Sequence, residues 1–159
     1  MKTLIVCHSK FGNTRAIANA IAEALKSAGN VELISFDQLD EVSFINTDLV
    51  VMGCPNHRMN LPRELHLVFE ALPHRILQKT PAAVFDTSYK MSSLLASFSA
   101  AYKLASKVRR LGGKLVLPPE TFFVIEKQGP LYDGEIERAK DWATEILALA
   151  GDSMNSEKI

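Results

Sequence analysis

Only two of the 159 residues are cysteine and only one is tryptophan. Two thiols, Cys7 and Cys54, do not make a disulfide scaffold, and such thrift points to a reducing, cytoplasmic setting. There is no run of about 20 apolar residues, so no helix is expected to span a membrane. The apolar start of the chain is interrupted by His8, Ser9, Lys10 and Asn13, too soon for the core of a secretory signal. Cys-x-x-Cys, His-Glu-x-x-His and Gly-x4-Gly-Lys-[Ser/Thr] are all missing, so the thiol-redox, zinc-hydrolase and P-loop chemistries have no local support. The four histidines, His8, His57, His66 and His74, are not spaced as metal ligands. Net charge is lacking too: 18 basic side chains balance 18 acidic ones, which argues against a strongly basic nucleic-acid binder.

What is present suits one globular domain. Hydrophobic residues make up 47% of the chain, enough for a substantial core. We expect that domain to occupy residues 1–151, with a frayed polar tail over 152–159. Thr3 to Cys7 is a continuous apolar run, as expected of a strand buried on both faces. Further strands are predicted at Val31–Phe36, Asp48–Met52, Ala82–Phe85 and Lys114–Leu117, the last broken by Pro118-Pro119 and resumed over Thr121–Ile125. Helices are predicted at Thr14–Ser27, from Pro62 or Arg63 to Leu72, at Ser93–Leu111 and from Asp133 or Gly134 to Ala150, from apolar residues at helical spacing. The link from the second strand to the third is short and weakly helical. Strict alternation of strand and helix implies an α/β three-layer sandwich: a five-stranded parallel sheet, order 2-1-3-4-5, with helices on both faces. Ligands of such sheets lie at the carboxyl ends of the strands, near the switch between strands 1 and 3. That directs attention to loops 8–14, 53–62 and 86–92.

The first of these loops is Ser9-Lys10-Phe11-Gly12-Asn13-Thr14, leading directly into a helix. Hydroxyls, the Asn13 amide and backbone N–H groups at a helix start suit a phosphate monoester, and Gly12 allows close approach of the backbone. Taken alone, the same residues also fit an ordinary turn capped by Asn13 or Thr14. The loop resembles the [Ser/Thr]-x-[Ser/Thr]-Gly-Asn-Thr motif of flavodoxins, departing from it at Phe11. The second loop, Gly53-Cys54-Pro55-Asn56-His57-Arg58-Met59, resembles the flavodoxin segment that covers one face of the flavin. The covering role falls by position to His57, with Met59 as an alternative. Arg58 stands where typical flavodoxins have a glycine whose peptide reorients with the state of the flavin. A side chain there carries a penalty for positive φ of about 1 kcal/mol or more. The third loop, Asp86-Thr87-Ser88-Tyr89, resembles a flavodoxin segment whose tyrosine stacks on the other flavin face. There the backbone amides of Asp86, Thr87 and Ser88 would meet the pyrimidine edge. The resemblance spans residues 2–150 and fits the short-chain form, because strand 5 carries no long insertion. A phospho-receiver domain of similar fold would need acidic residues where His8-Ser9 and Cys54-Pro55 stand.

The resemblance implies a flavodoxin-like fold, FMN as cofactor, and electron transfer between redox partner proteins. Arg58 keeps open an FMN oxidoreductase acting on a quinone or NAD(P)H. Phe11 and the missing loop glycine keep open a flavin-free interaction or regulatory module. The balanced charge hides a division. Residues 1–110 carry 13 basic and 9 acidic side chains, and residues 111–159 carry 5 and 9. A basic flavin face is therefore expected, with an acidic or anionic partner and a less negative couple for the reduced flavin.

Overall fold

The computed structural model describes residues 1–156. The elements run β1 (Lys2–Cys7), α1 (Asn13–Leu25), β2 (Asn30–Ser35), β3 (Leu49–Pro55), α2 (Arg63–Ala71), β4 (Pro81–Ser88), α3 (Ser93–Ala96), α4 (Ala100–Arg110), β5 (Lys114–Leu115), β6 (Glu120–Phe123) and α5 (Glu135–Ser156). The link from β2 to β3 holds two short 3-10 turns, Phe36–Gln38 and Val42–Phe44.

All strand pairs are parallel and the order is β2-β1-β3-β4-β5. The fifth position is shared by two pieces. β5 pairs with Pro81–Ala82 at the start of β4, and β6 pairs with Phe85–Ser88 at its end. Pro118 and Pro119 lie between the pieces and have no N–H to give to a ladder.

Successive side chains of a strand point to opposite faces, and the core divides accordingly. Leu4, Val6, Val50, Met52, Cys54, Ala82 and Val84 join Leu65, Phe69, Leu104 and Val108 of α2 and α4. Ile5, Cys7, Val51, Ala83 and Phe85 join Ile17, Ile21, Ala139, Trp142 and Ile146 of α1 and α5 on the other side. Cys7 and Cys54 therefore lie on opposite faces of the sheet. Burial pushes both thiols above their ordinary pKa, and the nearby Asp86 carboxyl pushes Cys54 further in the same direction.

Several boundaries differ from expectation, each for a physical reason. The strand expected to end at Phe85 continues to Ser88, so Asp86, Thr87 and Ser88 are buried strand residues rather than a loop. The strand expected to end at Met52 continues to Pro55, because it pairs with that extension. The single helix expected over 93–111 is two, α3 and α4, separated at Ser97–Ser99. The first two amides of α4 are taken by side chains from strand ends, Asn56 Oδ1 at 3.2 Å and Asp86 Oδ2 at 2.9 Å. A helix whose opening N–H groups are claimed in this way starts there. Past Ala150 the chain was expected to fray from residue 152, but it stays helical to Ser156. Residues 157–159 of the expected tail lie outside the described residues.

Phe85 links the sheet to α5. Its ring meets Phe122 and Trp142 edge-on, at centroid distances of 5.8 and 6.1 Å. The opposite residue on β3 is Gly53, where a Cβ would stand 2.1 Å from the Phe85 ring. At the start of α5, Glu135 accepts the Phe123 amide at 2.7 Å and pairs with Arg138 at 2.7 Å. Arg138 also pairs with Glu120 at 3.1 Å and lies over the Phe122 ring at 4.4 Å. Desolvation raises the Glu135 pKa, but hydrogen bonds from Arg138 and the Phe123 amide, with the Arg138 charge, outweigh it and leave the carboxyl below its ordinary value.

Two outcomes follow from these contacts. Gly53→Ala should lose about 1–3 kcal/mol by overpacking against a confined ring, read as a lower urea midpoint, and Phe85→Leu in the same chain should recover part of the loss. Because Glu135 is depressed in the folded state, its contribution is present above the ordinary Glu pKa of about 4.3 and is lost as pH falls through the folded value. The melting-temperature gap between the native chain and Glu135→Gln should therefore be open at neutral pH and close in acid.

Candidate functional site

The three loops at the carboxyl ends of β1, β3 and β4 enclose a cavity of about 310 Å³. It is lined by Lys10, Phe11, Asn13 and Thr14 from the first loop and α1, and by Pro55, Asn56, His57 and Arg58 at the exit of β3. Thr87, Ser88 and Tyr89 at the exit of β4 complete it, with Val124 and Lys127 beyond β6. The lining holds three full cations and no carboxylate.

The first loop turns on Gly12, whose φ of 93° is left-handed and costs glycine little. The Ser9 hydroxyl accepts the amides of Gly12 and Arg15 at 3.2 and 3.3 Å. The Ser9 oxygen thus ties the loop together from within, and neither Ser9 nor Gly12 lines the cavity. Among the described residues, the amides of Asn13 and Thr14 donate to no protein acceptor. They stand at the start of α1, where the helix dipole favours negative charge. The Asn13 side chain also abuts the 127–130 loop: a Cβ on Gly129 would lie 2.6 Å from Asn13 Oδ1. The Thr14 hydroxyl is 2.8 Å from that of Thr87, so a buried bond joins the start of α1 to the end of β4. Lys10 lies over the Phe11 ring at 5.4 Å, and Phe11 is itself exposed.

The second loop is a tight reversal. His57 and Asn60 exchange both backbone hydrogen bonds, each at 3.0 Å. Between them Arg58 and Met59 have φ of 50° and 62°. Positive φ at both central residues is the mark of a type I′ turn, which favours Asn-Gly. The position-specific strain expected of Arg58 is present, and Met59 shares it. Asn56 holds the turn in place. Its amide N–H bonds the Thr87 carbonyl at 2.9 Å, and its side chain donates to Ser88 Oγ at 3.0 Å and to Met59 Sδ at 3.4 Å. Lys103 of α4 donates to the Met59 carbonyl. Met59 lies beside the cavity rather than in its lining.

In the third segment Tyr89 reaches the cavity and is half exposed, while Thr87 and Ser88 form its floor. Asp86 does not reach it. Its side chain is wholly buried and accepts the Ala101 amide of α4, so this carboxyl places α4 rather than lining the cavity. Burial pushes the Asp86 carboxyl up, and the hydrogen bond from the Ala101 amide pulls it part of the way back. Asp86 Oδ1 and Ser99 Oγ are both buried without a hydrogen-bond partner. Two lining residues, Val124 and Lys127, were not foreseen. Their only signal was position, at the carboxyl end of the edge strand. A second pocket of about 480 Å³ adjoins the first and shares Lys10, Pro55 and His57 with it, adding His8, Arg63 and Glu64. Among the described residues no group of three or more His, Cys, Asp or Glu is placed to hold a metal ion.

A parallel doubly wound sheet with its cavity at the switch between β1 and β3 is the flavodoxin-like arrangement of α/β domains. The family model described as Flavodoxin matches residues 5–142, and the chain belongs to the flavodoxin family. Solved structures agree on the fold. A flavodoxin from the domain Archaea superposes with a TM-score of 0.75 at 20% identity, covering 95% of this chain and 99% of that one. Flavodoxin 2 of Bacillus cereus gives 0.76 at 20% identity, with 93% and 99% covered. Rubredoxin oxygen:oxidoreductase of Desulfovibrio gigas gives 0.74 at 16% identity, with 96% of this chain matching 37% of that longer one.

The turn supplies a prediction. Replacing Arg58-Met59 with Asn-Gly should raise stability by about 1 kcal/mol through relief of left-handed strain, read as a higher urea midpoint. A lower midpoint would show that the turn is held at no cost.

Proposed function

We propose that this chain binds FMN in the cavity described above and carries electrons between redox partner proteins. The observation that carries the reading is the mixed lining of one cavity, which has the free amides of Asn13 and Thr14 at a helix start together with Tyr89 and His57. A phosphate suits the amides and a flat ring suits the two side chains, so the residues present fit FMN. The flavin supplies one- and two-electron chemistry when bound.

The chain's own residues then have distinct tasks. The Asn13 and Thr14 amides hold the phosphate, with the Thr14–Thr87 hydroxyl pair fixing the distance between α1 and β4. Tyr89 and His57 flank the ring. Lys10, Arg58 and Lys127 set a positive local potential, which favours the more negative, reduced form of the ligand. Membership of the flavodoxin family supports both the cofactor and the carrier role. Among the described residues no helix is long and apolar enough to cross a membrane, which accords with the proposed cytoplasmic setting.

One observation favours a second reading. The adjoining pocket shares His57 with the first cavity, so a quinone or NAD(P)H held there would be one side chain from the flavin. Sustained NADPH-dependent quinone reduction by the loaded protein alone would select the oxidoreductase over the carrier.

Absorbance tests the proposal directly. Purified protein mixed with FMN should show perturbed flavin bands and quenched flavin fluorescence, saturating at one equivalent. Free-flavin spectra at every ratio would instead select a flavin-free interaction module. Thr14→Ala should weaken FMN binding by about 1–2 kcal/mol, because the hydroxyl pair that orders the phosphate end is lost. Unchanged affinity, measured by fluorescence quenching, would limit Thr14 to tying α1 to β4.

A further inference from the structure

α2 and α4 share a core on one face of the sheet, and at their far ends they part around a further cavity of about 290 Å³. The start of α4 is held at the exits of β3 and β4, and its 11 residues span about 16 Å. Its end stands at the opposite edge of the sheet, where the Gly112 carbonyl accepts the Lys79 amide at 2.7 Å just before β4 begins. The cavity there shares no lining residue with the two described above.

Its floor is apolar. Phe69 and Leu72 at the end of α2 and Leu111 at the end of α4 line it, and all three are buried. Its rim is ionic, with Glu70 and His74 from the α2 side and Lys107 and Arg110 from α4. Lys107 and Arg110 are three positions apart, so they leave the helix on one side. The ion pairs among the described residues are those of Arg138 with Glu120 and Glu135 and of Lys140 with Glu23. Both cations and Glu70 are therefore unpaired there. Cations in a last turn offset the dipole of their own helix, but that task needs no apolar hollow beside them. The hollow is also preformed. Beyond His74 the chain is pinned to the end of α4, with Leu77 buried and its N–H donating to the Leu111 carbonyl at 2.9 Å.

The charge sum selects the ligand. Two cations face one carboxylate, and the carboxyl-terminal ends of two helices add partial negative charge. That balance suits a single negative charge and disfavours a dianion such as phosphate. The floor suits an apolar body, and the fork of Arg110 matches a carboxylate. We infer that this cavity binds a small organic monoanion, a carboxylate carried on a short apolar chain, with Lys107 and Arg110 taking the head. The inference stands apart from the electron-carrier reading and needs no flavin.

Octanoate is the probe, titrated into the isotope-labelled full chain and followed by backbone NMR shifts, both without FMN and with one equivalent of it. Shifts should saturate and cluster at residues 69–74 and 107–111 in both conditions. Octanamide keeps the chain and loses the charge, and it should bind at least about tenfold more weakly, an ordinary loss for a charge-assisted contact. Inorganic phosphate should leave these shifts unmoved. Arg110→Gln alters an exposed side chain and should weaken octanoate about tenfold. Glu70→Gln should tighten it, a change of sign that local loosening does not produce. Shifts that map to the cavity beside Tyr89, displacement of octanoate by FMN, or no saturation at millimolar octanoate would overturn the inference. So would octanamide binding as tightly as octanoate, phosphate binding here, or variants that leave the affinity unchanged. Octanoate binding here by a chain that takes no FMN would overturn the proposed function alone and leave this site standing.

Discussion

The start of α4 is captured by two strand-end side chains, and much of the functional end of the molecule hangs on that capture. Asn56 at the exit of β3 and Asp86 near the end of β4 each accept one of the first amides of the helix. A helix start buried against a sheet would otherwise leave N–H groups without water or partner, each costing a kcal/mol or more. The carboxyl is expensive to bury, and burial accordingly raises its pKa. The helix dipole and the Ala101 bond offset part of that cost. Asn56 extends the arrangement outward, because the same side chain donates to Ser88 and to Met59. One asparagine therefore fixes α4, the second loop and the cavity floor relative to one another.

This arrangement explains which features the sequence made legible. Strand and helix periods are local, and they foretold the alternation, the parallel sheet and its order. The first loop was legible because its chemistry is also local: Gly12, Asn13 and Thr14 must sit together where a strand becomes a helix. The split of the helix expected over 93–111 was not legible. Nothing between Ser97 and Ser99 forbids helix as strongly as a proline would. The break is imposed from residues 56 and 86, distant in sequence. Asp86 was misplaced for the same reason. A short polar run after an apolar strand looks like a loop, whereas pairing with β3 on one side and β6 on the other carries the strand on to Ser88. Lys127 and Val124 reach the cavity only because the edge strand is split and its second piece is displaced toward the carboxyl end of β4.

The second loop joins a local signal to a tertiary one. Positive φ at Arg58 was foreseeable from the glycine that typical flavodoxins have there. Positive φ at Met59 was not, because it follows from the reciprocal His57–Asn60 pairing. The strain of two left-handed side chains is borne by a turn whose apex is tied to α4 through Lys103. The charge division also has a structural form. Of the basic first half of the chain, Lys10 and Arg58 line the cavity, and Lys127 joins them from the acidic half. The excess of carboxylates falls largely on α5 and the segment before it, where Glu135 and Glu120 hold Arg138.

Cys7 and Cys54 sit on adjacent strands, one residue out of step, with their side chains on opposite faces of the sheet. A disulfide needs its two Cβ atoms about 3.8 Å apart and facing each other, which this alternation denies them. Thiol–disulfide exchange in the surroundings therefore has no bond between these two cysteines to make or break, and the packing on either face of the sheet does not depend on one.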